Sequence, residues 1–167
     1  MKRVLFSLLL LIVVKAHAGD STHLYDPKAN AVKDVAESVA KAKQEHKNVL
    51  LQIGGNWCVW CYKFNAFVET DTALKKLEHE NYLVYHLNYS PENKNEAYLK
   101  TLGNPQRFGF PVFVVLDENG KQLHTENTAP LEKGNGYSFD KVKAFFLKWA
   151  PQKKENGELN EEVKNQK

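Results

Sequence analysis

Cysteine is scarce, with only 2 among 167 residues. That excludes the disulfide-dense scaffolds, which replace a hydrophobic core with several bridges. Long apolar runs are missing too. The stretch from Val4 to Val14, interrupted by Ser7, falls short of the roughly 20 residues a membrane-spanning helix needs. Zinc held by the two cysteines would need two further ligands, and no His pair at finger spacing follows them, so no metal site is predicted. Covalent haem attachment needs His directly after the second Cys, and residue 62 is Tyr.

An excess of charge is also lacking once the N-terminus is set apart. Lys2 and Arg3, the apolar run and Ala16-His17-Ala18 make the pattern of a cleaved secretory signal peptide over residues 1–18. Neither Cys lies near that cleavage site, so a lipid anchor is not expected. Residues 1–18 carry Lys2, Arg3 and Lys15 and no acid, which leaves 20 basic against 20 acidic side chains. A basic face for nucleic acid is therefore not predicted. The expectation is a periplasmic or secreted protein with one domain over 19–150 and a charged, flexible tail over 151–167.

Apolar spacing places the elements. Val32, Val35, Ala36, Val39 and Ala42 predict a helix over Asn30–His46. Asn48–Ile53 reads as a strand ending at Gly54-Gly55. A helix starts about Cys58 and runs toward Val68, and another spans Thr72–Glu80 after Thr70-Asp71. Tyr82–Asn88 alternates as a strand, Pro91–Leu102 returns to helix, and Val112–Leu116 is a buried strand. Asp117-Glu118-Asn119-Gly120 predicts a type I′ turn into an edge strand over Lys121–Thr125. Ser138–Trp149 closes the domain as a helix. A helical link implies parallel pairing of the first two strands, and the tight turn an antiparallel hairpin. Asn88-Tyr89-Ser90 reads as a glycosylation acceptor if the host is eukaryotic.

Chemistry concentrates in Gly54-Gly55-Asn56-Trp57-Cys58-Val59-Trp60-Cys61-Tyr62. Two residues between cysteines close too small a loop to constrain an unfolded chain, so a structural bridge here contributes little. A redox pair uses the same spacing well. A strand delivers Cys58 to a helix start, where unpaired N–H groups and the helix dipole favour thiolate over thiol. Cys61, one turn on, is placed to displace whatever Cys58 captures.

On Trp57-Cys58-x-x-Cys61, Thr70-Asp71, Phe110-Pro111 and the Glu-Asn-Gly turn, the chain resembles the thioredoxin-like superfamily. It is most similar to secreted disulfide reductases and isomerases, and to the C-terminal domain of transmembrane thiol–disulfide interchange proteins. The resemblance implies a thioredoxin fold of the α/β class, a central mixed sheet flanked by helices. It implies a nucleophilic Cys58, a resolving Cys61 and no cofactor. It also implies a cis Pro111 which, with Phe110, positions an extended substrate, and an apolar surface of Trp57, Trp60, Tyr62 and Phe110. Partners would be protein or peptide disulfides, with a transmembrane interchange protein as electron donor and a monomeric enzyme. A net thiol oxidase, a thiol peroxidase and a noncatalytic binding module of the same fold stay open. Only 20 residues separate Ser90 from Pro111, so an inserted helical domain is not expected, and neither is an N-terminal dimerisation domain.

Two departures from the family stand out. Gln52 occupies the position where thioredoxins carry a buried Asp, and Gln cannot take a proton. With His86 on the neighbouring strand, Gln52 is a candidate for holding a water or relaying a proton near Cys61. The other departure is Trp60, where many oxidants and isomerases have His. Trp60 cannot stabilise a thiolate by charge, so a potential between the family's extremes is expected.

Overall fold

Residues 23–152 are described by a computed structural model. The signal peptide expected over 1–18 and most of the tail expected over 151–167 lie outside them. Helix α1 (Ala31–Glu45) starts where Asn30 accepts a hydrogen bond from the Lys33 N–H at 3.1 Å, and it stops at His46 in the left-handed region. Strand β1 (Asn48–Gly54) follows, then α2 (Val59–Thr70) and α3 (Thr72–Asn81). Asp71 separates these helices and caps α3 by accepting from the N–H groups of Ala73 and Leu74. Next come β2 (Tyr82–Asn88), α4 (Glu96–Thr101), β3 (Val112–Leu116) and β4 (Gln122–Asn127). A small β5 (Glu132–Lys133) and β6 (Gly136–Tyr137) pair precedes α5 (Phe139–Lys148).

The sheet order is β2-β1-β3-β4. β1 runs parallel to β2 and antiparallel to β3, and β3 pairs antiparallel with β4. This is the mixed sheet the sequence predicts. Every residue of β1 is buried, because alternate side chains enter two cores. Val49, Leu51 and Ile53 meet α1 and α4 through Val35, Ala42 and Leu99. Leu50, with Phe113 and Val115, meets α2, α3 and α5 through Phe64, Val68, Leu74, Val142 and Phe146. No helix among the described residues is long and apolar enough to cross a membrane.

Several expectations need correction. The helix expected from Pro91 begins only at Glu96, because residues 88–95 are bound sideways by asparagines. Asn88 Nδ2 donates to Asn93 O, Asn95 Nδ2 donates to Asn88 O, and Asn93 Nδ2 donates to Ala29 O. Asn88 is fully buried, so the glycosylation sequence is closed in the folded chain. Val32 points to solvent at 62% exposure, and Ala31 takes the core position. The hairpin is not type I′, which needs positive φ at both central residues. Only Gly120 is left-handed there (φ +82°). Asp117 Oδ1 holds the turn by accepting from the Asn119 and Lys121 N–H groups.

Candidate redox site

β1 ends at Gly54, and the chain turns so that Cys58 becomes the N-cap of α2. The Cys58 Sγ accepts the Cys61 N–H at 3.2 Å. This is where a helix exposes unpaired donors and the positive end of its dipole, a setting that favours a thiolate. Cys58 and Cys61 are joined as a disulfide. They are unequal: Cys61 is 0% exposed and Cys58 4%. Cys58 is itself nearly closed in this disulfide form, yet it is the one of the pair that reaches the surface.

The Phe110–Pro111 peptide is cis, and Thr128 Oγ1 donates to Pro111 O at 2.6 Å. Phe110 packs against the cysteine cluster. Its ring meets Trp57 edge-on at 5.1 Å and stacks on Tyr89 at 5.0 Å. Trp57 Nε1 donates to Tyr89 O at 2.9 Å. The fold therefore brings Cys58, Cys61, Trp57, Phe110 and Pro111 together. Trp57 and Val59 are exposed on either side of Cys58 in sequence, at 52% and 65%. Trp60 is only half-buried, with its ring against Tyr137 at 5.6 Å and the Lys63 ammonium over it at 4.3 Å. Tyr62 turns inward, its hydroxyl donating to Asn56 Oδ1 at 2.9 Å and accepting from Leu24 N–H.

Gln52 and His86 are register partners on β1 and β2. Gln52 is buried, and its Nε2 donates to the Tyr25 hydroxyl at 3.0 Å and to Cys61 O at 3.3 Å. His86 has no hydrogen bond to Gln52 among those of the described residues, and its Nε2 is buried without a partner. Its ring instead meets that of Tyr25 edge-on at 5.4 Å. Burial pushes His86 down to about 4, so it is neutral near neutral pH.

Tyr25, Asn56 and Tyr89 are site residues the sequence reading does not single out. No sequence signal points to Tyr25, because its place depends on contacts with Asn56 across a separation of 31 positions. Gly54 is fixed by close approach: a Cβ there would strike Cys61 Sγ and lie 2.8 Å from the Tyr25 hydroxyl. Gly54→Ala is expected to cost about 1–3 kcal/mol by overpacking. The check is a lowered urea midpoint at constant m-value, and an unchanged midpoint contradicts this packing.

The thioredoxin-like family model matches residues 30–118. The disulfide bond reductase DsbH of Chlamydia pneumoniae is 30% identical over 121 residues, covering 65% of this chain and 68% of that protein. The crystal structure of a disulphide isomerase from Xylella fastidiosa Temecula1 superposes with a TM-score of 0.65 at 26% identity, covering 75% of this chain and 95% of that one. The reduced C-terminal domain of Neisseria meningitidis DsbD shares the fold, with a TM-score of 0.50 at 20% identity over 71% of this chain and 96% of that domain. By its family match, its relatives and its Cys58–Cys61 pair, the chain belongs to the thioredoxin-like family.

Proposed function

We propose that the protein is a thiol–disulfide oxidoreductase that reduces or isomerises disulfides of exported proteins, with Cys58 as nucleophile and Cys61 as resolving thiol. The observation that carries this reading is the asymmetry of the pair. Cys58 caps the N-terminus of α2 and keeps a narrow 4% of its surface in solvent, and Cys61 is sealed behind it. The reduced Cys58 thiolate attacks one sulfur of a substrate disulfide and expels the other as a thiolate. Cys61 then attacks Cys58 Sγ, expelling the second substrate sulfur and leaving the enzyme oxidised. Two electrons from a dithiol donor restore it. The same exchange run backwards is a net thiol oxidase.

Trp57, Trp60 and Phe110 give the substrate an apolar bed beside Cys58, and the backbone at Phe110–Pro111 is the proposed partner of an extended segment. The leader-like sequence over residues 1–18 supports export to the periplasm or beyond. An exported reductase needs electrons from across the membrane, so a transmembrane interchange protein is the proposed donor. The domain is proposed to span 19–150 and to act as a monomer.

Insulin reduction tests the reading. The protein should accelerate precipitation of the insulin B chain above the background of dithiothreitol alone. No acceleration would favour a noncatalytic binding module of the same fold.

A further inference from the structure

We propose that the Tyr25 hydroxyl is a hydrogen-bond donor to the Cys61 sulfur and holds that sulfur as a thiolate while it resolves the mixed disulfide. The proposal rests on the assignment of Cys61 as the resolving thiol. Its basis is how the chain builds Tyr25 into the site. The phenol is 1% exposed and clusters with Cys58 and Cys61. Its hydroxyl and Cys61 Sγ crowd the same point above Gly54, where a single added methyl would meet both.

The segment is held there deliberately by the active-site loop. Asn56 brackets the Tyr25 backbone, accepting from its N–H at 3.0 Å and donating to its carbonyl at 2.8 Å. Tyr62 fastens the bracket by donating to Asn56 Oδ1. Residues 24 and 25 thereby become a wall of the site, although they lie more than 30 positions from Cys61 in sequence.

The polarity of the hydroxyl is also set. Gln52 Nε2 donates to the Tyr25 oxygen, so that oxygen is already an acceptor. Its own proton has no acceptor among the hydrogen bonds of the described residues, and Cys61 Sγ is the group beside it that gains charge. Burial pushes the phenol above its usual range, so it keeps its proton and acts as a donor, not as a base. Gln52, at the family's acidic position, would then serve by aiming the tyrosine.

The step balances without a further base. Attack by Cys58 expels one substrate sulfur as a thiolate, which takes the Cys61 proton and leaves as a thiol. The Cys61 thiolate, stabilised by the Tyr25 O–H, attacks Cys58 Sγ and expels the second substrate thiolate. The titratable groups around Tyr25 are Tyr62 from α2 and Tyr137 from β6, whose charges act on it, and His86 from β2, whose ring it meets edge-on. His86 stays neutral above its depressed range, so it does not titrate in the thiol window.

The test is a pH titration of Cys61 by its ultraviolet thiolate absorbance in the Cys58→Ser protein, with and without Tyr25→Phe. A hydrogen bond to a charged group is roughly twice as strong as one between neutral groups, so in Tyr25→Phe the midpoint should rise by about one pH unit or more. Resolution of a mixed disulfide at Cys58, followed by stopped flow near neutral pH, should slow by about tenfold. A merely structural role would lower the melting temperature and leave the midpoint in place; that result overturns the proposal. Asn56→Ala keeps the phenol and loosens its bracket, and should raise the midpoint by a smaller amount. This arm reads even if Tyr25→Phe does not fold, and an unchanged midpoint there also overturns the proposal. Insulin reduction by the parent protein with no midpoint shift would remove only the role of Tyr25. A shift without insulin reduction would remove only the functional reading.

Discussion

Cys61→Ser is expected to turn the protein into a covalent trap, and Cys58→Ser is expected to leave it inert. Both variants should lower insulin reduction by more than about 100-fold, as removal of a group that makes or breaks bonds commonly does. They differ in what accumulates. With Cys58 present and Cys61 replaced, the thiolate at the α2 N-terminus still attacks, but nothing buried behind it can expel the substrate. A mixed disulfide should then build up and be visible as an adduct on a non-reducing gel. With Cys58 replaced, the remaining thiol is Cys61, which is 0% exposed, so little adduct should form. The variants are close in volume to the parent and sit where α2 starts, so the fold should persist. Equal trapping by the two variants would contradict the assignment of roles. It would mean that the burial difference between the sulfurs vanishes once the disulfide opens.

Much of this site can be read without the fold. The Cys58–Cys61 spacing and the preceding strand are local signals, and the cis Phe110–Pro111 bond is what the family resemblance implies. α1 was legible because Val35 and Ala42 fall at helical spacing behind an Asn30 cap. The buried strand Val112–Leu116 was legible from its continuous apolar run. What escaped depends on polar contacts between distant segments. Nothing near Pro91 announces that Asn88, Asn93 and Asn95 will tie their loop to itself and to Ala29. β5 and β6 are two residues each, too short for any periodicity, yet they deliver Tyr137 onto Trp60 and Phe64. Tyr25 lies in a polar stretch with Pro27 and no apolar periodicity. Its burial follows from Asn56 and Tyr62, and no pattern in sequence links the three.

The second large effect expected is on stability, and it comes from two groups that oppose each other. His86 lies half-buried on β2 with an unpartnered Nε2, and burial lowers it from 6.5 to about 4. The unfolded chain binds that proton more tightly. The His86 contribution is therefore complete above about pH 6.5 and is lost as pH falls toward 4. Glu78 on α3 is shifted the other way, from 4.5 to about 7, first by burial and then by the Glu69 charge, with Lys75 partly offsetting. The folded chain holds the Glu78 proton more tightly. Stability from this group is complete below pH 4.5 and is lost as pH rises toward 7. Each shift corresponds to at most about 3 kcal/mol, and the two windows overlap. The parent protein should therefore show a flat stability profile through mildly acidic pH, while the variants tilt it in opposite directions. Glu78→Gln removes the loss on the alkaline side, so stability should climb with pH and exceed that of the parent above pH 7. His86→Phe removes the loss on the acid side, so stability should decline as pH rises. Urea midpoints measured across this range for the three proteins decide the matter. Parallel profiles would mean that neither side chain changes its proton affinity on folding. A tilt in only one variant would confine the effect to that residue.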